Sequence, residues 1–173
     1  MKINNLTYRG LVKDEFDEKK DGKIWAEGFP KYDKLLNQWF VVEDIHGKAR
    51  FKNPAYYSTL CECTGVHDMY DRRIYEGDII KLDPREQDFD GTYLPAEYYI
   101  VEWDILEVGF YLVRQLPTPC AIRLSWTIDQ GWMEIVGNVW EQPELAAQIM
   151  GDDYHADIND EGDREEEAAD GDE

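Results

Sequence analysis

Ile74-Tyr75-Glu76-Gly77-Asp78-Ile79-Ile80 is the stretch of sequence that decides the fold. A glycine between two acidic residues, immediately before an aliphatic run, is typical of a tight turn that leads into a buried strand. We expect a positive φ or a close backbone approach at Gly77, because glycine adopts such a conformation at little steric cost. Asp78 is expected to accept hydrogen bonds from nearby backbone N–H groups, as Asp does in turns.

A second stretch, Ile135 to Leu145, joins a strand to a helix. Gly137 followed by Asn138 indicates a bulge or a buried amide hydrogen bond. Pro143–Met150 is a predicted helix with proline at an early position, and Gly151 is able to end it. These two stretches, with Thr64-Gly65 ahead of the first, supply the predicted structural turn residues, which are Gly65, Glu76, Gly77, Asp78, Gly137 and Asn138.

The fold class is predicted to be mainly β, since short aliphatic and aromatic runs alternate with turn residues. The predicted strands are Gln38–Ile45, Ile79–Leu82, Tyr98–Trp103, Gly109–Arg114 and Trp132–Trp140. The last four, in this order, fit a small, strongly bent SH3-like β-barrel, which closes its sheet with few strands. Trp103 shares one face of its strand with Tyr99 and Val101, and we expect that face to lie in the core.

We predict three parts in the chain. Residues 1–60 form an N-terminal β-rich segment, residues 61–150 form the barrel with one short C-terminal helix, and residues 151–173 form a disordered acidic tail. The tail contains twelve acidic residues and one Arg, and it has too few apolar residues to offset the entropy of ordering. We find no internal repeat.

Composition limits the partners and the compartment. The formal net charge is −20, of which the tail carries −11, so the body is also acidic. Strong direct binding to nucleic acid or to an anionic membrane is therefore disfavoured. Three cysteines are too few for a disulfide framework, and the N-terminus lacks an apolar secretion signal, so we expect a protein of the bacterial cytoplasm.

Four motifs in order resemble the YopX family of phage and prophage proteins. They are Tyr8-Arg9-Gly10 with Asp21 to Gly28, Thr64-Gly65 with Ile74 to Ile80, Tyr99 to Asp104 with Gly109-Phe110, and Gly137 to Leu145. The resemblance implies a fold family and a phage or prophage origin, but no established activity. Two departures from the family pattern are the turn at Asp68 to Asp71, where a left-handed residue would fall to Asp71, and the pair Cys61 and Cys63.

Few residues point to chemistry. Cys61 and Cys63 with His67 suggest zinc, but a second ligand pair is absent from the sequence, and free thiols are the interpretation that we favour. Glu76 and Asp78 are either paired carboxylates for acid–base or Mg²⁺ work, or structural turn residues, and we favour the turn. We therefore predict no catalytic, cofactor-binding or metal-binding residues.

Three function hypotheses remain open. The first is a non-enzymatic accessory protein that contacts a host or phage protein and self-associates through aromatic patches. The second is an acidic DNA mimic that inhibits a host DNA-binding protein. The third is a small-barrel nucleic-acid-binding protein of phage replication, which would use Tyr70, Arg72, Arg73 and Tyr75.

Overall fold

The structure is a computed structural model that describes residues 7–13, 23–45, 48–54, 59–83, 89–127, 132–152 and 154. Its strands are β1 Tyr8–Lys13, β2 Lys23–Asp33, β3 Gln38–Ile45, β4 Lys48–Pro54, β5 Cys61–His67, β6 Arg73–Tyr75, β7 Asp78–Asp83, β8 Glu97–Asp104, β9 Gly109–Arg114, β10 Cys120–Arg123 and β11 Trp132–Asn138. Its helices are α1 Leu124–Thr127 and α2 Pro143–Met150.

The strands form two antiparallel sheets that are contiguous in sequence. The first sheet has the order β4-β3-β2-β1-β5-β6, and the second has the order β10-β9-β8-β7-β11. Along the described residues the chain passes from one sheet to the other at the two-residue turn Glu76-Gly77, between β6 and β7. The stretch Ile74 to Ile80 therefore contains the connection between the sheets.

The mainly β fold and the short C-terminal helix are confirmed, but the SH3-like barrel is not. The four strands predicted for the barrel lie in the second sheet, and β3 and α2 have the predicted bounds. Among the described residues, β10 and β11 remain the edges of this sheet, so it is open. β11 also ends at Asn138, before the predicted Trp140, because the chain turns there towards α2.

A loop covers the edge of β11 in place of a closing strand. The Met69 N–H donates to the Met133 carbonyl at 2.9 Å, and Arg72 Nη2 donates to the Ile135 carbonyl at 2.9 Å. The Ile135 N–H donates to Asp68 Oδ2 at 3.2 Å. These bonds satisfy backbone groups that an open edge would otherwise expose.

The second sheet is buried on both faces. One face packs under β5, β6 and α1, in a cluster of Ile74, Ile80, Leu82, Tyr99, Val101, Leu112, Leu124 and Met133. The other face is covered by α2, in a cluster of Ile79, Ile100, Val139, Ala146 and Ile149. The first sheet has a smaller cluster, made of Val12, Ala26 and Val41.

Trp103 does not lie in the core as predicted. It is on the same face of β8 as Tyr99 and Val101, which are buried, but it remains 41% exposed. The reason is its position near the end of the strand, where its described aromatic neighbour is Phe110 across the hairpin, at 4.9 Å between ring centroids. The face was predicted correctly and the extent of the core was not.

The predicted three-part division stays a prediction. β5 and β6, which it assigns to the second part, pair within the first sheet, since Tyr8 of β1 lies opposite Glu62 of β5. The predicted disorder of the tail falls largely outside the described residues, which after α2 include Gly151, Asp152 and Tyr154.

Candidate functional site

The turn Glu76-Gly77 is fixed by backbone hydrogen bonds to the second sheet. Gly77 has φ +76°, the conformation expected from the sequence, and its N–H donates to the Val101 carbonyl at 2.8 Å. Its own carbonyl accepts from the Val139 N–H at 3.0 Å. A Cβ at Gly77 would lie 2.3 Å from the Trp140 ring. Gly65 also has a positive φ, of +77°, but faces open space.

Asp78 ties the two sheets together and is fully buried. Its Oδ2 accepts from the Tyr75 N–H at 2.9 Å, and its Oδ1 forms an ion pair with Arg9 of β1. The Arg9 guanidinium also lies 4.7 Å from the Trp25 ring centroid and 4.8 Å from that of Tyr75. Burial raises the pKa of Asp78, and Arg9 opposes that shift. Both carboxylate oxygens therefore have structural partners.

The second sequence stretch meets the first at the same place. A bulge falls between Ile135 and Gly137, and Asn138 Oδ1 accepts from the N–H groups of Trp140 and Glu141 at 3.1 and 3.0 Å. Glu141 Oε1 accepts from Trp25 Nε1 at 3.0 Å. We call the set Arg9, Trp25, Gly77, Asp78, Asn138, Trp140 and Glu141 the joint, because it connects the first sheet to the second.

Three carboxylates gather beside the joint. Burial raises the pKa of Glu76, with Glu62 adding to the shift, and burial followed by the charge of Glu76 raises the pKa of Glu102. The described residues contain no group of three or more His, Cys, Asp and Glu side chains arranged to hold a metal ion. Burial is the main cause of the raised pKa values of Glu76 and Glu102, and repulsion from a neighbouring carboxylate adds to each.

Cys61 is buried, and burial raises the pKa of its thiol to about 12. Its Sγ donates to the Thr59 carbonyl at 3.1 Å. A thiol of this kind is protonated near neutral pH, so it is a poor nucleophile and a poor metal ligand. Cys63, on the same strand, is partly buried and free.

The predicted surface of Tyr70, Arg72, Arg73 and Tyr75 is not assembled. Tyr75 is buried, and its ring packs against Arg9 at the joint. Arg72 Nε donates to Asp68 Oδ2 at 2.7 Å, and its guanidinium lies 5.2 Å from the Tyr70 ring. Arg73 pairs with Glu27 at 3.0 Å. These arginines support the fold at the places where the sequence suggested a ligand.

The same loop contains the left-handed residue expected from the sequence. Asp71 has φ +64°. Burial alone would raise the pKa of Asp68, but hydrogen bonds from Arg72, Ile135 and Tyr70 outweigh it and lower that pKa. Asp68 therefore stays ionised at the centre of the loop that covers β11.

A groove lies beside α2. Its volume is about 690 Å³. It is lined mainly by apolar side chains from α2, from the segment before β8 and from the segment after β9; the lining residues are Pro95, Ala96, Glu97, Tyr98, Arg114, Leu116, Pro117, Val136, Leu145, Gln148 and Ile149. This volume lies within the range of known ligand pockets.

A polar network lies at one side of the groove. Arg114 Nη1 donates to Glu97 Oε1 at 2.6 Å, and the Tyr99 hydroxyl donates to Glu97 Oε2. Burial opposes ionisation of Glu97, but the hydrogen bonds from Tyr99 and Arg114 lower its pKa. The network therefore holds a fixed ion pair beside apolar walls.

Sequence reasoning missed this groove. It predicted the helix Pro143–Met150, but not the space beside it. Exposed apolar side chains beside the groove give a signal that is visible in hindsight: Tyr93 is 66% exposed, Leu94 39% and Leu116 49%. Polar loops seldom carry so many large apolar residues without a role in contact.

Among the described residues, two open antiparallel sheets connected by the joint, with the buried Arg9–Asp78 ion pair within it, define a mainly β protein whose most recognisable motifs are structural. The chain belongs to the YopX family: the family model described as YopX protein matches residues 8–147. None of the curated proteins compared with the chain matches it. No helix within the described residues is both long and apolar enough to cross a membrane.

Proposed function

We propose that this protein is a non-enzymatic, phage-type accessory protein of the bacterial cytoplasm that acts by binding another protein. In this proposal the groove beside α2 receives an apolar segment of the partner. The observation that carries it is the groove itself, which combines apolar walls with the Glu97–Arg114 pair. Apolar grooves that receive the apolar face of a partner segment are a recurring mode of protein recognition.

The state of the reactive groups supports binding rather than catalysis. The Cys61 thiol is protonated at neutral pH, and the oxygens of Asp78 are engaged by Arg9 and Tyr75. A nucleophile or a general base needs a group that is free to exchange protons within reach of a substrate. The motif residue Asp78, which lies in the stretch with the strongest sequence signal, thus already has structural partners.

Affinity capture with matched variants tests the proposal. Leu116→Asp places a charge in the groove, whereas Trp126→Asp places one on another exposed apolar residue, outside its lining. We expect wild type and Trp126→Asp to retain the same partner from phage-infected cells, and Leu116→Asp to bind it at least about thirtyfold more weakly, as for a hot-spot residue. Equal retention by both variants would contradict the groove as the binding site.

The two alternative functions, DNA mimicry and nucleic-acid binding, differ in their support. The DNA-mimic hypothesis keeps its motivation in the net charge of −20, and deletion of residues 151–173 would test it by competition against DNA. The nucleic-acid-binding hypothesis is weakened, because Tyr75 is not available for stacking on a base.

A further inference from the structure

Two β-hairpin turns in this molecule share one local structure, although they lie in different sheets. The first, Tyr32–Trp39, connects β2 to β3, and the second, Trp103–Phe110, connects β8 to β9. Each begins with an aromatic residue followed by Asp and ends with an aromatic residue in contact with the first. The ring centroids are 5.4 Å apart in the first turn and 4.9 Å apart in the second.

The aspartates stiffen both turns in the same way. Asp33 Oδ1 accepts from the N–H groups two and three residues later, at 2.9 and 3.3 Å. Asp104 Oδ1 accepts from the N–H groups at the same offsets, at 2.8 and 3.0 Å. Both turns therefore hold their central residues in a fixed conformation, which reduces the entropy lost when those residues bind.

The fifth residue after the first aromatic residue has a left-handed backbone conformation in each turn. The type of residue at this position differs between the two turns. Asn37 has φ +52° and Val108 has φ +50°. Asn tolerates this conformation, whereas a β-branched residue is strained in it. Val108 is also 67% exposed, so neither folding nor burial accounts for valine at this position. An exposed apolar residue in a strained backbone conformation is suited to a contact with another molecule.

Each turn presents large apolar side chains to solvent. The exposed fractions are 95% for Leu35, 60% for Leu36, 79% for Ile105, 89% for Leu106 and 67% for Val108. Clustered exposure of this kind at a rigid turn is typical of an interaction surface.

The charges of the two turns are complementary. Lys34 is exposed beside the leucines of the first turn, and Glu107 is exposed among the apolar residues of the second. The same asymmetry extends over the sequence: residues 1–60 hold 11 of the 18 Lys and Arg residues and carry +2, whereas residues 61–173 carry −22. The Asp33 carboxylate of the first turn is engaged by backbone N–H groups, so the exposed charge that this turn offers to Glu107 is that of Lys34.

We propose that the β8–β9 turn of one copy docks on the β2–β3 turn of a second copy. Ile105, Leu106 and Val108 contact the two leucines of the partner copy, and Glu107 faces the Lys34 of that copy. The contact does not involve the groove, so it stands independently of the proposed function. It joins two different surfaces, so it leaves one of each free and association continues into rings or chains. Its small size makes it weak and reversible.

Charge reversal and mixing test the pairing. Sedimentation velocity of the full chain at about 150 mM salt, where long-range repulsion between acidic copies is screened, should show association that grows with concentration. Lys34→Glu and Glu107→Lys should each weaken it about tenfold or more. An equimolar mixture of these two variants should associate again, because the altered tips then match. Asp152→Lys, which changes the net charge as much as Glu107→Lys, should behave as wild type.

Val108→Asn separates association from folding. Asn relieves the strain, so the melting temperature should stay unchanged or rise by about 2–4 °C, while association weakens about tenfold. A wild-type chain that remains monomeric at every concentration overturns the proposal. So does a mixture of the charge variants that fails to associate, because another surface or a different protein would then occupy the turn.

Discussion

At the scale of the single residue, Gly77 shows why a short motif requires glycine at one position. Its φ of +76° and its contact with Trp140 exclude any side chain for two separate reasons. The positive φ concerns the backbone, and the 2.3 Å approach concerns a rigid ring that has no free end to move aside. Gly65 shares the first constraint but not the second, so the two positions form a matched pair.

We therefore expect Gly77→Val to destabilise the protein more than Gly65→Val. Backbone strain should cost about 1–3 kcal/mol at either position, and the collision with Trp140 adds to this at Gly77 alone. Urea denaturation of both variants measures the difference in free energy of unfolding. Equal losses would mean that Trp140 does not constrain the turn.

Gly137 provides a third comparison, in which the obstacle is flexible. A Cβ there would lie 1.8 Å from Gln142 Oε1, the far end of a side chain that can rotate away. The backbone of Gly137 does not have a positive φ, unlike that of Gly77. A side chain is thus disfavoured at Gly77 and at Gly137 for different physical reasons. The similar sequence around the two glycines does not reveal this difference.

At the scale of the element, strand β8 shows that the face on which a side chain lies and the extent to which it is buried are separate properties. Alternation along the strand gives the face correctly, because side chains in a strand point to opposite sides with a period of two. Alternation says nothing about where the covering layer ends. Trp103 lies beyond that limit, and its contact with Phe110 replaces burial in the core.

Trp103→Ala should consequently cost about 1–2 kcal/mol, since it removes one aromatic pair and part of a buried surface. Leu112→Ala, at a fully buried position on the neighbouring strand, should cost about 2–5 kcal/mol. Thermal melts of the two variants decide the order. A larger loss at Trp103 would restore the core position expected from the sequence.

How far the sequence predicts the elements depends on how local their signals are. The helix Pro143–Met150 and the strand Gln38–Ile45 have local start and stop signals, and both have the predicted bounds. The barrel was inferred from strand order, but closure depends on which edge meets which, and that is decided by contacts distant in sequence. Arg72 with the Ile135 carbonyl is one such contact, 63 residues apart.

The candidate sites, too, are predictable from the sequence only where their residues are close together in the chain. The turn at Gly77 is recognisable because its residues are consecutive. The groove beside α2 brings together residues from three separated segments, so it has no motif. The likeness of the two hairpin turns rests on φ values and hydrogen bonds rather than on identical residues, and the search for repeats did not find it.

At the scale of the whole molecule, the carboxylates beside the joint make stability depend on pH. The pKa values of Glu76 and Glu102 are raised in the folded state, so these groups bind protons more tightly when folded. Their contribution to stability is fully present below the ordinary value of 4.5 and is lost as the pH rises through the folded-state pKa. Asp68 and Glu97, with lowered pKa values, contribute in the opposite direction.

Glu76→Gln isolates the first of these effects. The variant removes the repulsion from Glu62 and Glu102 and the cost of burying a charge, while the amide oxygen can still accept a hydrogen bond. We expect its melting temperature to exceed that of wild type by about 1–3 °C at pH 7, and the difference to vanish by about pH 4. A difference that grows as the pH falls would contradict the sign of the shift.

The joint also sets an order of events as the chain folds. It links Arg9 to Asp78 across 69 residues and Trp25 to Glu141 across 116, whereas the hairpins close over a few residues each. Short loops close quickly and long ones slowly, so the hairpins form early and the joint forms late. During synthesis, Trp25 must wait for residue 141 to emerge before it finds its partner. Trp25 therefore lacks this partner while 116 further residues are added, a period in which a newly made chain is open to misassembly.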